Sequence, residues 1–358
     1  MPEAARLAQT LVEEGKAYED EGAIRFRMPD EGATGWEDAV RGRIEVPNEK
    51  LEDVVLVRSD GRPTYNFANP VDDMFDEITH VIRGADHVSN TPKQIQILRA
   101  LGAGPPVYAH VPDVLGTDGK KLSKRHGAQS VEDFREQGYI PEALVNFLAR
   151  LGWAYDDKTE VFSRDDLVRL FSLDRVSSSP AVFDYEKLAW LNGVHLRNLP
   201  PDEYAERVLI YLREQGIEWD EELARRAAPL VQGKIETLAQ FPDYVRFLFE
   251  DVKPDPALLD PDVLEAAAST LSDLNPFDAT TIEQALRELA ERLELKPREA
   301  FQPIRVAVTG SKVSPGLFES IELLGREQSL ARLRSASETL PADRPVISDG
   351  RAGKARPS

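Results

Sequence analysis

Apolar residues at Leu7, Leu11 and Val12, closed by Gly15, predict a short amphipathic helix over residues 3–14. IRFRM (24–28) alternates as a strand does. VVLV (54–57) and TYNF (64–67) flank Ser59-Asp60-Gly61-Arg62, and this spacing predicts a β-hairpin because Asp-Gly is a favoured turn pair. ITHVI (78–82) reads as an apolar strand and VYAHV (107–111) as a second one. Between them Thr91 is placed to cap a helix with Pro92 at its first position, its buried face running through Ile95, Leu98 and Leu101 to Gly102. Strand, helix and strand over short links predict a parallel βαβ unit.

Beyond it the period becomes helical. Ser130 with Asp133 predicts a capped helix ending at Gly138, and Pro141 opens another with Leu144, Leu148 and Leu151 on one stripe. Residues 200–338 keep the helical period, with YAERVLIYL, TIEQALRELAERL and IELLGREQSLARL, and hold no period-two strand set. Residues 339–358 read as a disordered tail.

Composition narrows the chemistry. The 358 residues include no cysteine and five scattered histidines, so disulfides and thiolate chemistry are excluded and no zinc site is expected. There is no membrane-length apolar run and no signal-peptide pattern, so a cytoplasmic protein without membrane contact is expected. A net charge of −19 opposes indiscriminate nucleic-acid binding. Screening over about 8 Å still lets a local basic surface hold a polyanion.

One stretch runs against the acidic total. In GTDGKKLSKRHGA (116–128), Lys120, Lys121, Lys124 and Arg125 fall within six positions between glycines. Ligands of open α/β sheets sit beyond the carboxyl ends of the strands. Here those ends are 83–87 and 112–115, which gathers Arg83, Asp86, His87 and the lysines around one crevice. Such a loop suits a polyphosphate, where cations stabilise the charge growing on a leaving pyrophosphate. A solvated charge run is the other reading, and neither the Walker nor the dinucleotide glycine pattern is present.

KLSKR (121–125) resembles the Lys-Met-Ser-Lys-Ser signature of class I aminoacyl-tRNA synthetases. VVLVRSDGRPTYNFANPVDD, ITHVIRGADHVSNTPKQ, KLSKRHGAQSVEDFREQGYIPEALVNFLARLGW, VFDYEKLAWLNG and QPIRVAVTGSKVSPGLFESIELLG together resemble bacterial glutamyl-tRNA synthetases, in order, from about residue 50 to 335. The resemblance implies an α/β nucleotide-binding (Rossmann-like) half-domain followed by all-α C-terminal domains. By that resemblance residues 1–70 are a remnant of the connecting region with the β-hairpin, and 71–128 the second half of the catalytic domain. Residues 129–199 then form a helical stem-contact domain and 200–338 an anticodon-binding domain.

The implied partners are L-glutamate, ATP with Mg²⁺, and tRNA(Glu), for a monomeric glutamate–tRNA ligase. Tyr65, Asn69 and Arg83 are the implied glutamate contacts, a guanidinium pairing bidentately with a carboxylate. Asp86, Lys121, Leu122, Ser123, Lys124 and Arg125 are the implied ATP contacts, and Lys121, Ser123 and Lys124 the catalytic ones. Lys234 is the implied tRNA contact. From the residues alone, Arg83 paired with Asp72 or Asp73, Tyr65 as core packing, and Asp86 as plain surface charge remain open, and His87 reads as structural.

The chain departs from this family in lacking a His-Ile-Gly-His-type signature. The sheet is therefore expected to show an open edge with unburied apolar surface. A piece of a working ligase, a non-catalytic tRNA-binding paralogue, and a chain completed by a separate polypeptide are the competing accounts, and the first is favoured. A glutaminyl-tRNA synthetase fits less well, because its anticodon domain is built of β-barrels. Assayed alone, the 358-residue chain is expected to form little or no glutamyl-adenylate. Pyrophosphate exchange with tRNA present, at the rate of an intact synthetase, would contradict this.

Overall fold

The computed structural model describes residues 2–122 and 129–338. They divide between two compact units, Met1–Ser130 with Pro141–Leu191, and Val131–Ile140 with Asn192–Ser358. The tail expected at 339–358 lies outside the described residues.

In the first unit, helix α1 (Pro2–Glu13) buries Ala4, Ala8 and Leu11. Strands β1 (Ala17–Asp20) and β2 (Ala23–Phe26) form a hairpin through Glu21 and Gly22, both at positive φ. This two-residue loop matches the twist of its strands. β3 (Ala33–Asp38) and β4 (Gly42–Pro47) form a second antiparallel pair, and β5 (Val54–Val57) adds to β2.

The hairpin expected over 54–67 does not form. Residues after Thr64 turn into helix α2 (Tyr65–Phe75), leaving only an isolated bridge between Val57 and Pro63. The Thr64 carbonyl accepts from Phe67 and Ala68, which starts the helix. Phe67 and Val71, one turn apart, then bury against Leu56 and Ile97. A helical repeat of buried side chains outweighs the turn signal of Asp60-Gly61.

The βαβ unit is present as β6 (His80–Gly84), helix α3 (Thr91–Ala100) and β7 (Val107–Val111). β6 and β7 pair in parallel, and the four-stranded sheet has the order β4-β3-β7-β6. β6 is thus an edge strand, and Ile82 on it is 54% exposed, with Ile78 just before it at 42%. The open edge with uncovered apolar side chains agrees with the expectation. Thr91 differs from its expected role: it is already helical, and its hydroxyl is engaged by a side chain instead of capping.

A short parallel pair, β8 (Val114–Leu115) with β9 (Ala181–Val182), follows. Helix α4 (Val131–Glu136) belongs to the second unit, and α5 (Pro141–Ala149) and α6 (Arg164–Leu170) to the first. α5 buries Leu144 as expected, together with Ala143 and Phe147, whereas Leu148 of the expected stripe is exposed. Phe147 sets this face by packing edge-on against Phe183, ring centres 4.9 Å apart. Helix α7 (Tyr185–Asn198) begins in the first unit and belongs to the second from Asn192.

The rest of the second unit is helical, as expected. It comprises α8 (Pro201–Glu214), α9 (Glu221–Val231), α10 (Phe241–Val245), α11 (Pro261–Ser272), α12 (Ala279–Arg292), α13 (Pro297–Thr309), α14 (Leu317–Leu324) and α15 (Arg326–Glu338). Asp220, Asp260 and Asp278 accept backbone N–H groups at the starts of α9, α11 and α12, which satisfies orphaned donors there. Among the described residues no helix is long and apolar enough to cross a membrane.

Gly138, after α4, has φ +79°, and a Cβ there would lie 2.5 Å from the Ala239 backbone nitrogen. Gly138→Ala is expected to cost about 1–3 kcal/mol, measured by urea unfolding. An unfolding midpoint equal to that of the wild type would refute the close approach.

Candidate active site

Arg83 lies near the carboxyl end of β6, directly opposite His110 of β7 in the parallel register. Paired residues of parallel strands project from the same face, so the two side chains meet. Arg83 Nε donates to His110 Nε2 at 3.2 Å, Nη2 to Thr91 Oγ1 at 2.8 Å, and Nη1 to the Tyr65 hydroxyl at 3.4 Å. Its guanidinium also sits 5.3 Å from the Tyr108 ring centre, a cation–π arrangement. Burial pushes the Tyr108 phenol up to about 12, so the ring beneath Arg83 stays neutral.

These contacts settle two readings. Tyr65 is 49% exposed at the start of α2, so it is not core packing. Arg83 is held by neutral partners, and neither Asp72 nor Asp73 is among them. Asp73 nonetheless feels the guanidinium: desolvation raises its pKa, Arg83 opposes that rise, and Asp72 and Asp76 add to it. Asn69 lies one helical turn beyond Tyr65 on α2 and is half-buried. His87 packs its ring 5.4 Å from that of Tyr65 and meets Asn90 through Nδ1, consistent with a structural histidine.

The root of the cationic loop reaches the same end of the sheet. Lys121 Nζ lies 2.9 Å from Asp113 Oδ1 and 3.4 Å from Asp86 Oδ2, so Asp86 is an anchored carboxylate and not an isolated surface charge. Desolvation works to raise the Asp86 pKa, but Lys121 outweighs it and leaves the group below its ordinary value. Leu122 is half-buried and donates its N–H to the Val114 carbonyl, which ties the loop to β8. Ser123, Lys124 and Arg125 lie outside the described residues. Among the described residues no group of three or more His, Asp or Glu side chains stands ready for a metal ion.

Three participants escaped the sequence reading. Asp38, at the end of β3, and His110 are fully buried and bonded to each other. Asp113 anchors Lys121. A histidine inside the otherwise apolar VYAHV, and an acid two residues after Trp36 in a strand, were the only signals available.

In the second unit, Lys234 lies in the turn after α9. Its ammonium donates to the Ser314 carbonyl at 3.3 Å. Partial desolvation and the neighbouring Arg305 pull its pKa down, against Glu319.

Comparison with known proteins follows the same division. Residues 1–190 match the family described as tRNA synthetases class I (E and Q), catalytic domain, and residues 203–337 match an anticodon binding domain. A glutamate–tRNA ligase of Dehalococcoides mccartyi is 42% identical over 337 residues, covering 88% of this chain and 69% of that protein. One from Thermodesulfovibrio yellowstonii is 43% identical over 325 residues, covering 87% and 70%. The crystal structure of a glutamate tRNA ligase from Elizabethkingia meningosepticum, in complex with its amino acid, superposes with a TM-score of 0.80 at 29% identity. It covers 93% of this chain and 70% of that one. With a class I catalytic-domain match over its first half, an anticodon-domain match over its second, and relatives above 40% identity, the chain belongs to the glutamate–tRNA ligase family of class I aminoacyl-tRNA synthetases.

Proposed function

We propose that the protein serves ATP-dependent ligation of L-glutamate to the 3′ end of tRNA(Glu) in the cytoplasm, acting as a monomer. The observation that carries this reading is Arg83. Of its five N–H donors, three go to His110, Thr91 and Tyr65, all neutral partners. The cation is half-buried and bonds no carboxylate among the described residues. A side chain so held presents its remaining N–H groups for a bidentate carboxylate, and glutamate carries one at the right end. Tyr65 touches the guanidinium, and Asn69 lies one turn on along the same face of α2.

The α-carboxylate of glutamate then attacks the α-phosphate of ATP and expels pyrophosphate to give glutamyl-adenylate, and the terminal ribose hydroxyl of tRNA attacks the acyl carbon and releases AMP and a proton. Both steps depend on positioning, and the first on cations near the leaving pyrophosphate. Lys121, Ser123, Lys124 and Arg125 supply that charge, with Asp86 and Leu122 framing the nucleotide. Lys121 is paired with two exposed carboxylates. Exposed pairs of this kind are weak, so an incoming triphosphate competes for the ammonium. Mg²⁺ arrives with the nucleotide as part of the substrate. In the second unit, Lys234 beside Arg305 offers positive charge to the anticodon, and residues 129–199 serve the inner stem.

A non-catalytic tRNA-binding protein is the competing reading. Glutamate affinity, measured by calorimetry, is expected to fall about 30- to 5000-fold on Arg83→Ala, as truncating one partner of a buried charge pair costs about 2–5 kcal/mol. Arg83→Lys is expected to recover little, since a point charge cannot replace the fork. Unchanged glutamate binding in Arg83→Ala would sink the assignment of the pocket. Lys124→Ala is expected to weaken ATP binding and leave tRNA(Glu) affinity within twofold. A Lys124→Ala chain barely affected in either measurement favours the tRNA-binding reading.

A further inference from the structure

Behind Arg83 lies a second layer that the proposed chemistry does not use. Asp38 Oδ1 accepts the backbone N–H groups of Val40, Arg41 and His110, each at 3.1 Å. Its Oδ2 lies 2.5 Å from His110 Nδ1, and both side chains are 0% exposed. The other nitrogen of the same ring, Nε2, is 3.2 Å from Arg83 Nε and 3.0 Å from Thr91 Oγ1.

These neighbours leave one protonation state. The Arg83 Nε always carries a hydrogen, so His110 Nε2 must offer its lone pair. An ionised carboxylate only accepts, so Nδ1 must carry the ring proton. Thr91 is compatible, because its hydroxyl accepts from Arg83 Nη2 and donates to the His110 Nε2 lone pair at 3.0 Å.

We infer that Asp38 and His110 are positioning residues for the substrate carboxylate: the carboxylate locks His110 as its Nδ1–H tautomer, and the Nε2 lone pair fixes the plane of the Arg83 guanidinium. The inference rests on Arg83 being the glutamate anchor. It explains why a buried acid and a buried histidine are kept at the end of the sheet, where plain packing would do without either. A second proton on His110 would aim an N–H at the Arg83 Nε–H. Burial holds the imidazole pKa below its ordinary value, with the charges of Arg83 and Arg41 assisting and that of Asp38 opposing. The other groups around the ring, Trp36, Thr91 and Tyr108, are neutral.

The same geometry supplies the test. In Asp38→Asn the side-chain carbonyl must stay on the three backbone N–H groups, which leaves the amide NH₂ facing His110 Nδ1. The ring then becomes an Nε2–H donor, and Arg83 loses its acceptor with almost no change of shape. The expected result is a loss of glutamate affinity of about 10- to 100-fold. ATP and tRNA(Glu) affinities stay within twofold, and ¹⁵N NMR shows His110 moving from the Nδ1–H to the Nε2–H form. His110→Gln keeps a carbonyl acceptor and retains more glutamate affinity than His110→Met, which is of similar size without one. In the wild type glutamate affinity falls as pH drops through the His110 pKa, which burial holds below that of an ordinary imidazole, and in His110→Gln that fall is absent.

An Nε2–H tautomer in the wild type, or full glutamate affinity in Asp38→Asn after the tautomer has switched, overturns the inference. If Asp38→Asn does not fold, equal affinities of His110→Gln and His110→Met overturn it instead. Failure of the anchor reading itself is separate, since it shows as undiminished binding in Arg83→Ala.

Discussion

The parallel pairing of β6 with β7 is the constraint on which the site depends. Register alone puts Arg83 opposite His110, and a slip of one residue would send the two side chains to different faces. β3 joins the far side of β7 through Asp38 opposite Tyr108, so the carboxylate lands within reach of the same imidazole. Three strands from different parts of the chain thereby converge on one guanidinium. Helix α3 completes the arrangement by delivering Thr91 at its first residue.

This layout separates two kinds of charge. Asp38 is ionised in the interior and fully compensated, because three backbone N–H groups and an imidazole share it. Hydrogen bonds to the charged form offset desolvation, and its pKa ends below the ordinary value although burial alone would raise it. Arg83 is the opposite case, a cation with neutral partners. Cost is carried by the layer that holds the site, and unspent charge is left where a ligand meets it.

Lys121 shows how a chain of net charge −19 keeps a basic loop in place. Asp86 and Asp113 flank its ammonium at the carboxyl ends of the strands in exposed, weak pairs, and the Leu122 N–H on the Val114 carbonyl ties the loop there. The second unit follows a different logic. It is built from helices capped by aspartates and held at tight approaches such as Gly138, where a backbone nitrogen takes the space of a side chain.

The βαβ unit and the helical second half were legible in the residues from local periodicity, and Lys121 beside Asp86 from the rule that ligands sit beyond strand ends. The open edge strand was expected from the family resemblance and not from periodicity. The run from Tyr65 to Phe75 was not legible, because Asp60-Gly61 is a good hairpin turn and only burial of Phe67 and Val71 against Leu56 makes it a helix entrance. Nor were Asp38 and His110. They stand 72 residues apart, and each alone looks like an ordinary strand residue. The sequence by itself determined which chemistry the loop and Arg83 offer and which family the chain resembles. Only the tertiary structure decided what holds Arg83, because a hydrogen-bond chain across three strands exists only once their register is set.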